Sequence, residues 1–358
     1  MRHKMIYLLL ILLIVGCNSQ HDSSGESQRL FTKQWSYPAL PDSLLNYNAD
    51  EQYIAQVCQV LPPDSLQTFG NIRGMGCDKN DNLYIWDDGY LALWKFSSNG
   101  EKIWRKKYSK GNEEGSFNSV KGAFAVSQNG KICVGDFQTK SLTVFDNDGN
   151  FMNKFKVNML PATITFGNDE SVYVAGFEMS YKGPLIHHYS NTGEFLGSFC
   201  ERDESSKLVM MTGNSGRLTS DTNGNIYYSF FYPYRIEKYS QDGKLLNEIH
   251  REIKNFQAPS REEMMVNWTS GLRGIITLPD DMLGINVVFN KDEKNWVIDI
   301  FDPEGNWLKS IPHGELPNRF MARYWAIDSK NNIYFDIFTK TEPVVVKYKF
   351  NLEKINKS

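Results

Sequence analysis

The segment Gly76-Cys77-Asp78-Lys79-Asn80-Asp81-Asn82-Leu83-Tyr84-Ile85-Trp86-Asp87 contains the pattern of a strand, a tight turn and a second strand. Its central Asp and Asn residues tolerate the positive φ angles of tight turns. The aromatic and aliphatic residues that follow them are typical of a pleated sheet. A third apolar segment ending at Phe96, a Ser-Ser-Asn-Gly turn and residues 102–108 complete an antiparallel meander of four strands.

The same pattern recurs six times, at intervals of about 50 residues. An aromatic residue ends the third strand of each copy, and in five of the six copies a glycine follows it four residues later. The aromatic residues are Phe96, Phe145, Tyr189, Tyr239, Phe301 and Tyr348. A unit of this size cannot bury its faces alone, so neighbouring copies must stack on one another. The sequence therefore predicts an all-β fold, a six-bladed β-propeller of four-stranded antiparallel blades, and the regular spacing disfavours a β-sandwich.

The sixth copy ends shortly after its third strand, which leaves an open sheet edge. Unpaired edges invite association with other chains, and folded proteins usually cover them. A β-rich segment at residues 53–60 precedes the first copy and has no other assignment. We predict that it supplies the outer strand of the sixth blade and closes the ring.

The first residues are typical of a secretory signal, with Arg2 and Lys4 before an apolar run from Ile6 to Val15. This run is too short for a bilayer span, which requires about 20 residues. It ends in Ile14-Val15-Gly16-Cys17, which resembles the lipobox of bacterial lipoproteins. We predict a lipoprotein signal peptide at residues 1–16, lipidation of Cys17, a flexible tether at residues 17–47 and a propeller domain at residues 48–358.

Three segments also resemble the six-bladed NHL/TolB-like β-propeller lipoproteins of Bacteroides and related bacteria. Gly111-Asn112-Glu113-Glu114-Gly115-Ser116-Phe117 is similar to the family's loop between blades, and residues 221–227 and 328–334 are similar to its Asp-Gly-Asn-Ile-Tyr core. The resemblance covers about residues 53–350. It implies a role in binding or scaffolding in the cell envelope, but no particular activity, because propellers host many functions. We predict an outer-membrane lipoprotein, and the scarcity of acidic residues after Cys17 favours the periplasmic face over the cell surface.

Cationic residues recur near the start of the first strand of the blades, the strand that lines the channel of a propeller. The candidate ligand-binding cations are Arg73, Lys121, Arg217, Arg273 and Arg323. Converging arginines would bind a carboxylate, phosphate or sulfate through charge-assisted hydrogen bonds. The alternative is that each cation pairs with a carboxylate of the repeat itself, such as Asp87, Asp88, Asp136 or Asp336. The sequence leaves both interpretations open.

Aromatic residues are concentrated after the second strand of the fourth blade, where Tyr232 and Tyr234 flank Pro233. Exposed rings at this mouth would stack on a sugar or contact a partner protein. Packing between blades is the equally weighted alternative. We include both tyrosines among the candidate ligand-binding residues.

The remaining composition argues against several classes of function. A net charge of -3 and the lack of a basic stripe predict no nucleic-acid partner. The histidines do not cluster and the cysteines after Cys17, namely Cys58, Cys77, Cys133 and Cys200, are far apart in sequence, so we predict no metal, no cofactor and buried thiols. Whether any of these cysteines pair is left open.

No catalytic motif stands out, since neither a G-x-S-x-G sequence nor an intact sialidase Asp-box is present. The leading interpretation is a monomeric, lipid-anchored envelope propeller that binds a glycan, peptide or partner protein without catalysis, with an anionic glycan or an envelope protein as the partner. The alternative is a propeller hydrolase or lyase that acts on an acidic saccharide.

Overall fold

The computed structural model describes residues 55–61, 68–178, 183–202, 216–253, 271–288, 296–312, 325–338 and 343–350. These residues form six separate four-stranded antiparallel sheets, which confirms the predicted six-bladed β-propeller. The chain divides into two units, Met1–Tyr37 and Pro38–Ser358, and every described residue belongs to the second. The predicted signal peptide, tether and lipidation site, and also Arg323, lie outside the described residues.

In the first three blades the strands follow chain order from the channel outwards. Blade one contains β2 (Ile72–Cys77), β3 (Leu83–Asp87), β4 (Ala92–Phe96) and β5 (Lys102–Lys107). Blade two contains β6 (Val120–Val126), β7 (Ile132–Asp136), β8 (Ser141–Phe145) and β9 (Phe151–Lys156). Blade three contains β10 (Leu160–Phe166), β11 (Val172–Phe177), β12 (Ile186–Tyr189) and β13 (Phe195–Phe199).

Blades four and five repeat this order, and blade six takes its outer strand from the start of the described chain. Blade four contains β14 (Arg217–Ser220), β15 (Ile226–Ser229), β16 (Arg235–Tyr239) and β17 (Leu245–His250). Blade five contains β18 (Gly271–Thr277), β19 (Leu283–Val288), β20 (Trp296–Phe301) and β21 (Trp307–Pro312), with a short 3-10 turn at Pro279–Asp281. Blade six contains β22 (Trp325–Ile327), β23 (Asn332–Phe338), β24 (Pro343–Phe350) and β1 (Ala55–Leu61). The inner strands contact one another in the order β2, β6, β10, β14, β18, β22 and back to β2, which surrounds a central channel.

Strand β1 closes the ring, as the sequence predicted. It pairs antiparallel with β24, from Ala55 opposite Phe350 to Leu61 opposite Val345. Side chains also connect the first and last blades, since Lys347 Nζ donates a hydrogen bond to the Ser98 carbonyl at 2.9 Å. The two ends of the described chain are therefore joined through one sheet.

Each interface between neighbouring blades has its own hydrophobic core. The third-strand aromatic residues predicted from the repeat lie in these cores, one in each: Phe96, Phe145, Tyr189, Tyr239, Phe301 and Tyr348. Each of them is at most 5 % exposed. Burying a large apolar side chain contributes about 1.5–3 kcal/mol, so the repeated aromatic stabilises the contact between blades.

The glycine that follows the aromatic is required by the same contact. Gly193 has φ of 94°, and a Cβ at this position would lie 2.4 Å from Cγ of Phe155 in the preceding blade. Gly243 has φ of 84°, and its Cβ would lie 2.7 Å from the ring of Phe199. Only glycine combines this backbone conformation with so close an approach.

The Asp and Asn residues of the repeat fasten the turn after the first strand. In blade one the Asp78 carboxylate accepts hydrogen bonds from the Asn82 side chain at 2.9 Å and the Tyr84 hydroxyl at 3.0 Å. Lys95 lies 5.0 Å from the centroid of the Tyr84 ring. The arrangement recurs with Asp221, Asn225, Tyr227 and Lys238 in blade four and with Asp328, Asn332, Tyr334 and Lys347 in blade six. These motif residues therefore stabilise the turn and the contact between blades.

Candidate functional site

The channel contains a cavity of about 650 Å³ that is lined by the inner strands of all six blades. Pockets for small ligands usually measure about 300–1,000 Å³, so this volume is sufficient for a small molecule or for one end of a larger one. Its lining combines cationic, hydroxyl-bearing and apolar side chains.

Two of the predicted cations, Arg217 and Arg273, line this cavity. Arg217 is the first residue of β14, and its Nη1 donates a hydrogen bond to the Gly216 carbonyl at 3.1 Å. Arg273 lies where the register of β18 shifts between Leu272 and Gly274, which marks a β-bulge. Because a bulge turns a side chain away from the regular alternation, it explains how an inner strand directs Arg273 to the cavity.

The environment of Arg273 disfavours its positive charge. The pKa of Arg273 is lowered to about 9, mainly by burial and also by the neighbouring positive charge of Arg217. The guanidinium also lies 4.4 Å from the centroid of the Phe231 ring. A pKa of about 9 still leaves Arg273 charged at neutral pH, so an anion that entered between the two guanidinium groups would relieve their mutual repulsion.

A group of hydroxyls, which the sequence did not predict, forms the wall of the cavity in blades three to five. Its members are Thr163, Thr165, Thr219, Ser220 and Thr277. The hydroxyls of Thr219 and Thr277 lie 3.1 Å apart, and those of Thr165 and Ser220 lie 3.2 Å apart. The sequence signal is the alternation of Thr at positions 163 and 165, which directs both side chains to one face of β10. Linked hydroxyls of this kind both donate and accept hydrogen bonds, which suits a ligand rich in hydroxyl groups.

Aspartates line the opposite end of the cavity, but their carboxylates are occupied by the turns. Asp78, Asp221 and Asp328 each accept hydrogen bonds from Asn and Tyr side chains of their own blade. The cavity therefore has a cationic end and an acidic end, and the carboxylates at the acidic end already accept hydrogen bonds that stabilise the turns of the blades.

Cys77 lines the cavity and is half-buried, so the predicted buried thiol is only partly buried at this position. Strand β2 is the inner strand of blade one, and its residues Gly74 to Cys77 line the cavity, which leaves the Cys77 side chain partly accessible. Burial, together with the negative charges of Asp328, Asp81 and Asp78, raises the pKa of the Cys77 thiol well above its usual value. Cys133 and Cys200 are buried free thiols, as predicted, and the Cys58 side chain lies outside the described residues.

The cations of blades one and two are placed differently from the arginine pair. Arg73 and Lys121 lie at register shifts in β2 and β6, but neither lines the cavity. Both are close enough to Asp88 to favour its charged form, although burial has the larger effect and raises the pKa of Asp88. On this side of the ring the cations have an acidic neighbour, in agreement with the pairing interpretation.

Asp87 and Asp136, which the sequence suggested as partners of the cations, accept hydrogen bonds from backbone amides. The Asp87 carboxylate accepts hydrogen bonds from the amides of Gly70 and Asn71, both at 2.9 Å. The Asp136 carboxylate accepts one from the Asn118 amide at 2.7 Å. Each carboxylate holds the segment that enters its blade against the loop that leaves the second strand.

The two candidate tyrosines of blade four do not form an open stacking surface. Tyr234 is 4 % exposed, and its hydroxyl donates a hydrogen bond to Asp299 in blade five at 2.7 Å. Its ring belongs to the core between these blades, so packing prevails over ligand binding at this position. Tyr232 is half-buried and packs against Phe231. The sequence could not show that the loop folds inwards.

Within the described part of the chain, no three His, Cys, Asp or Glu residues are grouped so that they could hold a metal ion. His188 stacks on Tyr173 with 4.1 Å between the ring centroids, and burial lowers its pKa. Among the same residues, no helix is long and apolar enough to cross a membrane.

The comparisons with known proteins support the fold alone. No protein-family model matches the chain, and no curated protein sequence matches it. The structure is similar to a putative exported protein from Bacteroides fragilis, with a TM-score of 0.60, 10 % identity, and coverage of 85 % of this chain and 97 % of that one.

Two enzymes have similar folds. An inactive variant of virginiamycin B lyase from Staphylococcus aureus with quinupristin has a TM-score of 0.52, 11 % identity, and coverage of 83 % of this chain and 99 % of that one. Hydrazine synthase from Kuenenia stuttgartiensis has a TM-score of 0.52, 13 % identity, and coverage of 83 % of both chains. At such low identity, and with such varied roles, these similarities establish the propeller architecture only.

Proposed function

We propose that this chain is a lipid-anchored propeller of the cell envelope that binds an anionic glycan in its central channel without catalysing a reaction. The observation that carries the proposal is the convergence of Arg217 and Arg273 on a cavity of about 650 Å³. The anionic group of the ligand would lie between the two guanidinium groups, which favour bidentate contacts with carboxylate or sulfate.

The wall of the cavity favours a saccharide over a bare anion. Thr163, Thr219 and Thr277 place hydroxyls along the inner strands, while Ile275 and Trp325 provide apolar surface beside them. A sugar ring presents hydroxyl groups around its edge and C–H groups on its faces, so it can use both kinds of surface. An acidic saccharide therefore matches the cationic end and the wall together.

The chemistry of the lining supports binding rather than turnover. The three lining aspartates are engaged by their own turns, and the raised pKa keeps the Cys77 thiol protonated and weakly nucleophilic at neutral pH. General acid–base catalysis would require a titratable group in contact with the ligand and free to exchange its proton.

The test is calorimetric titration of galacturonic acid oligosaccharides into the parent protein and into Arg273→Ala. We expect Arg273→Ala to weaken binding by about 1.5–3 kcal/mol, the value of a hydrogen bond to a charged group. The melting temperature should barely change, because a ligand-facing arginine leaves only water in the open cavity when it is removed. Lys244→Ala, which removes an exposed cation from an outer turn, is the matched control and should bind as the parent does.

Three results would contradict the proposal. Unchanged affinity in Arg273→Ala would show that the ligand binds elsewhere. A large fall in melting temperature without measurable anion binding by the parent would assign Arg273 to the fold. Cleavage of the oligosaccharide during the titration would support the hydrolase or lyase alternative.

A further inference from the structure

Tyr90 is a large aromatic residue that lies on the outside of blade one and is 43 % exposed. It belongs to the loop between β3 and β4, which is held in place from both sides. The Asp87 carboxylate accepts a hydrogen bond from the Gly89 amide at 3.1 Å, and Leu91 has a left-handed backbone with φ of 47°. The loop thus presents the Tyr90 ring to solvent from an anchored base.

Two cations of the outer strand β5 lie beside this ring. Arg105 and Lys107 are two residues apart, so they project from the same face of the strand. The Arg105 guanidinium carbon lies 5.0 Å from the centroid of the Tyr90 ring and 4.3 Å from that of Trp94, and Lys107 Nζ lies 6.0 Å from that of Tyr90. Contact with two rings fixes the plane of the guanidinium, whose Nε is buried, so its terminal N–H groups are the donors that a ligand would reach.

Within the described part of the chain, this pair of cations has no carboxylate partner. The buried Nε of Arg105 has no acceptor there, and neither Arg105 nor Lys107 forms an ion pair. Neighbouring cations are engaged, since Lys106 donates a hydrogen bond to Asn150 at 2.6 Å and Lys95 donates one to the Asn147 carbonyl at 3.1 Å. The cluster of Tyr90, Arg105 and Lys107 thus carries positive charge and hydrogen-bond donors that the described fold does not use.

The size of the cluster limits what it can recognise. A stable protein interface needs about 800 Å² on each partner with a core of several apolar side chains, whereas this cluster exposes one ring. A single sugar unit is small enough, because its C–H face can stack on the ring while an acidic substituent reaches the cations. Charge complementarity requires that substituent to be an anion, such as a carboxylate or a sulfate.

We propose that Tyr90, Arg105 and Lys107 form a second saccharide site, the rim site, which binds one acidic unit of a glycan on the outer edge of blade one. This site goes beyond the channel proposed above, since none of its three residues lines the cavity. A chain long enough to reach both sites would gain affinity from simultaneous binding.

The test uses a chondroitin sulfate tetrasaccharide as the probe and the variants Tyr90→Ala and Arg105→Gln. Each variant is made in the parent and in a background that carries Arg217→Ala and Arg273→Ala, so that failure of the channel proposal and failure of the rim proposal are distinguishable. We expect each rim variant to weaken binding at least about tenfold in the background protein, the loss of a stacked ring or a charged hydrogen bond. Lys110→Ala, an exposed cation that follows the same strand, is the matched control and should have no effect.

Melting curves of all variants show whether the fold is retained, and Arg105→Lys should restore part of the affinity because it keeps the charge but loses the planar fork. Equal affinity of parent and rim variants in the background protein would overturn the rim site. So would equal binding of an uncharged chitotetraose. Binding to phosphatidylglycerol vesicles that depends on Tyr90, without any binding of the saccharide, would assign the cluster to a membrane and overturn the proposal as well.

Discussion

Deletion of residues 48–61 is expected to abolish cooperative folding of the propeller or to drive it into aggregates. The deletion removes β1, and with it the antiparallel ladder that β1 forms with β24. Strand β24 would then present an unpaired edge, and blade six would keep only three of its four strands. Each lost ladder hydrogen bond is worth about 1 kcal/mol, so the deletion removes about 5 kcal/mol or more, comparable with the whole stability of many proteins.

The matched control is deletion of residues 27–47, which leaves β1 intact. We expect this shorter deletion to have the parent's midpoint in thermal and urea unfolding and to stay monomeric in gel filtration. If both truncated proteins unfold at the same temperature as the parent, β1 does not stabilise the ring.

Replacement of Cys17 by Ser is expected to abolish lipid attachment completely. The proposal rests on the sequence Ile14-Val15-Gly16-Cys17 after a short apolar run, in which the Cys17 sulfur is the atom that would carry the lipid. A hydroxyl is a far weaker nucleophile, so the Cys17→Ser protein should take up no labelled palmitate. It should also stay unprocessed by the lipoprotein peptidase, so its mass should be that of the precursor without a lipid.

Ser19→Ala is the control for this change, because it alters the same segment without removing the thiol. Its labelling and its membrane association should match those of the parent. Palmitate incorporation by Cys17→Ser, or its continued recovery with the outer membrane after a salt wash, would contradict lipidation at this residue.

The sequence predicted the features of the fold that depend on residues close together in the chain. The Asp and Asn turns and the third-strand aromatics each belong to a single blade, and their period of about 50 residues revealed the ring. It also located the cations, because Arg73 and Arg273 lie at the same distance before the turn and the structure places both at β-bulges. The sequence showed the shared position of these cations in the repeat, but it could not show the direction in which each bulge turns the side chain.

What could not be predicted depends on contacts between blades. Tyr234 is of a residue type that often stacks on ligands, but its hydroxyl donates a hydrogen bond to Asp299, which is 65 residues away in sequence. Arg217 and Arg273 share the cavity while Arg73 and Lys121 are near Asp88, and this difference follows from the packing of particular loops. The cationic surroundings of Tyr90 could not be predicted, because they depend on the position of the neighbouring strand β5, which carries Arg105 and Lys107.

Labelling of Cys77 by iodoacetamide, followed by mass spectrometry, tests most directly whether the ligand occupies the channel. Cys77 lines the cavity, and its raised pKa predicts slow labelling that still accelerates above pH 9, because the thiolate is the reactive form. We expect a saturating acidic oligosaccharide to slow labelling of Cys77 several-fold, while buried Cys133 stays unlabelled in both states. Labelling of Cys77 at the same rate with and without bound oligosaccharide would contradict binding in the channel.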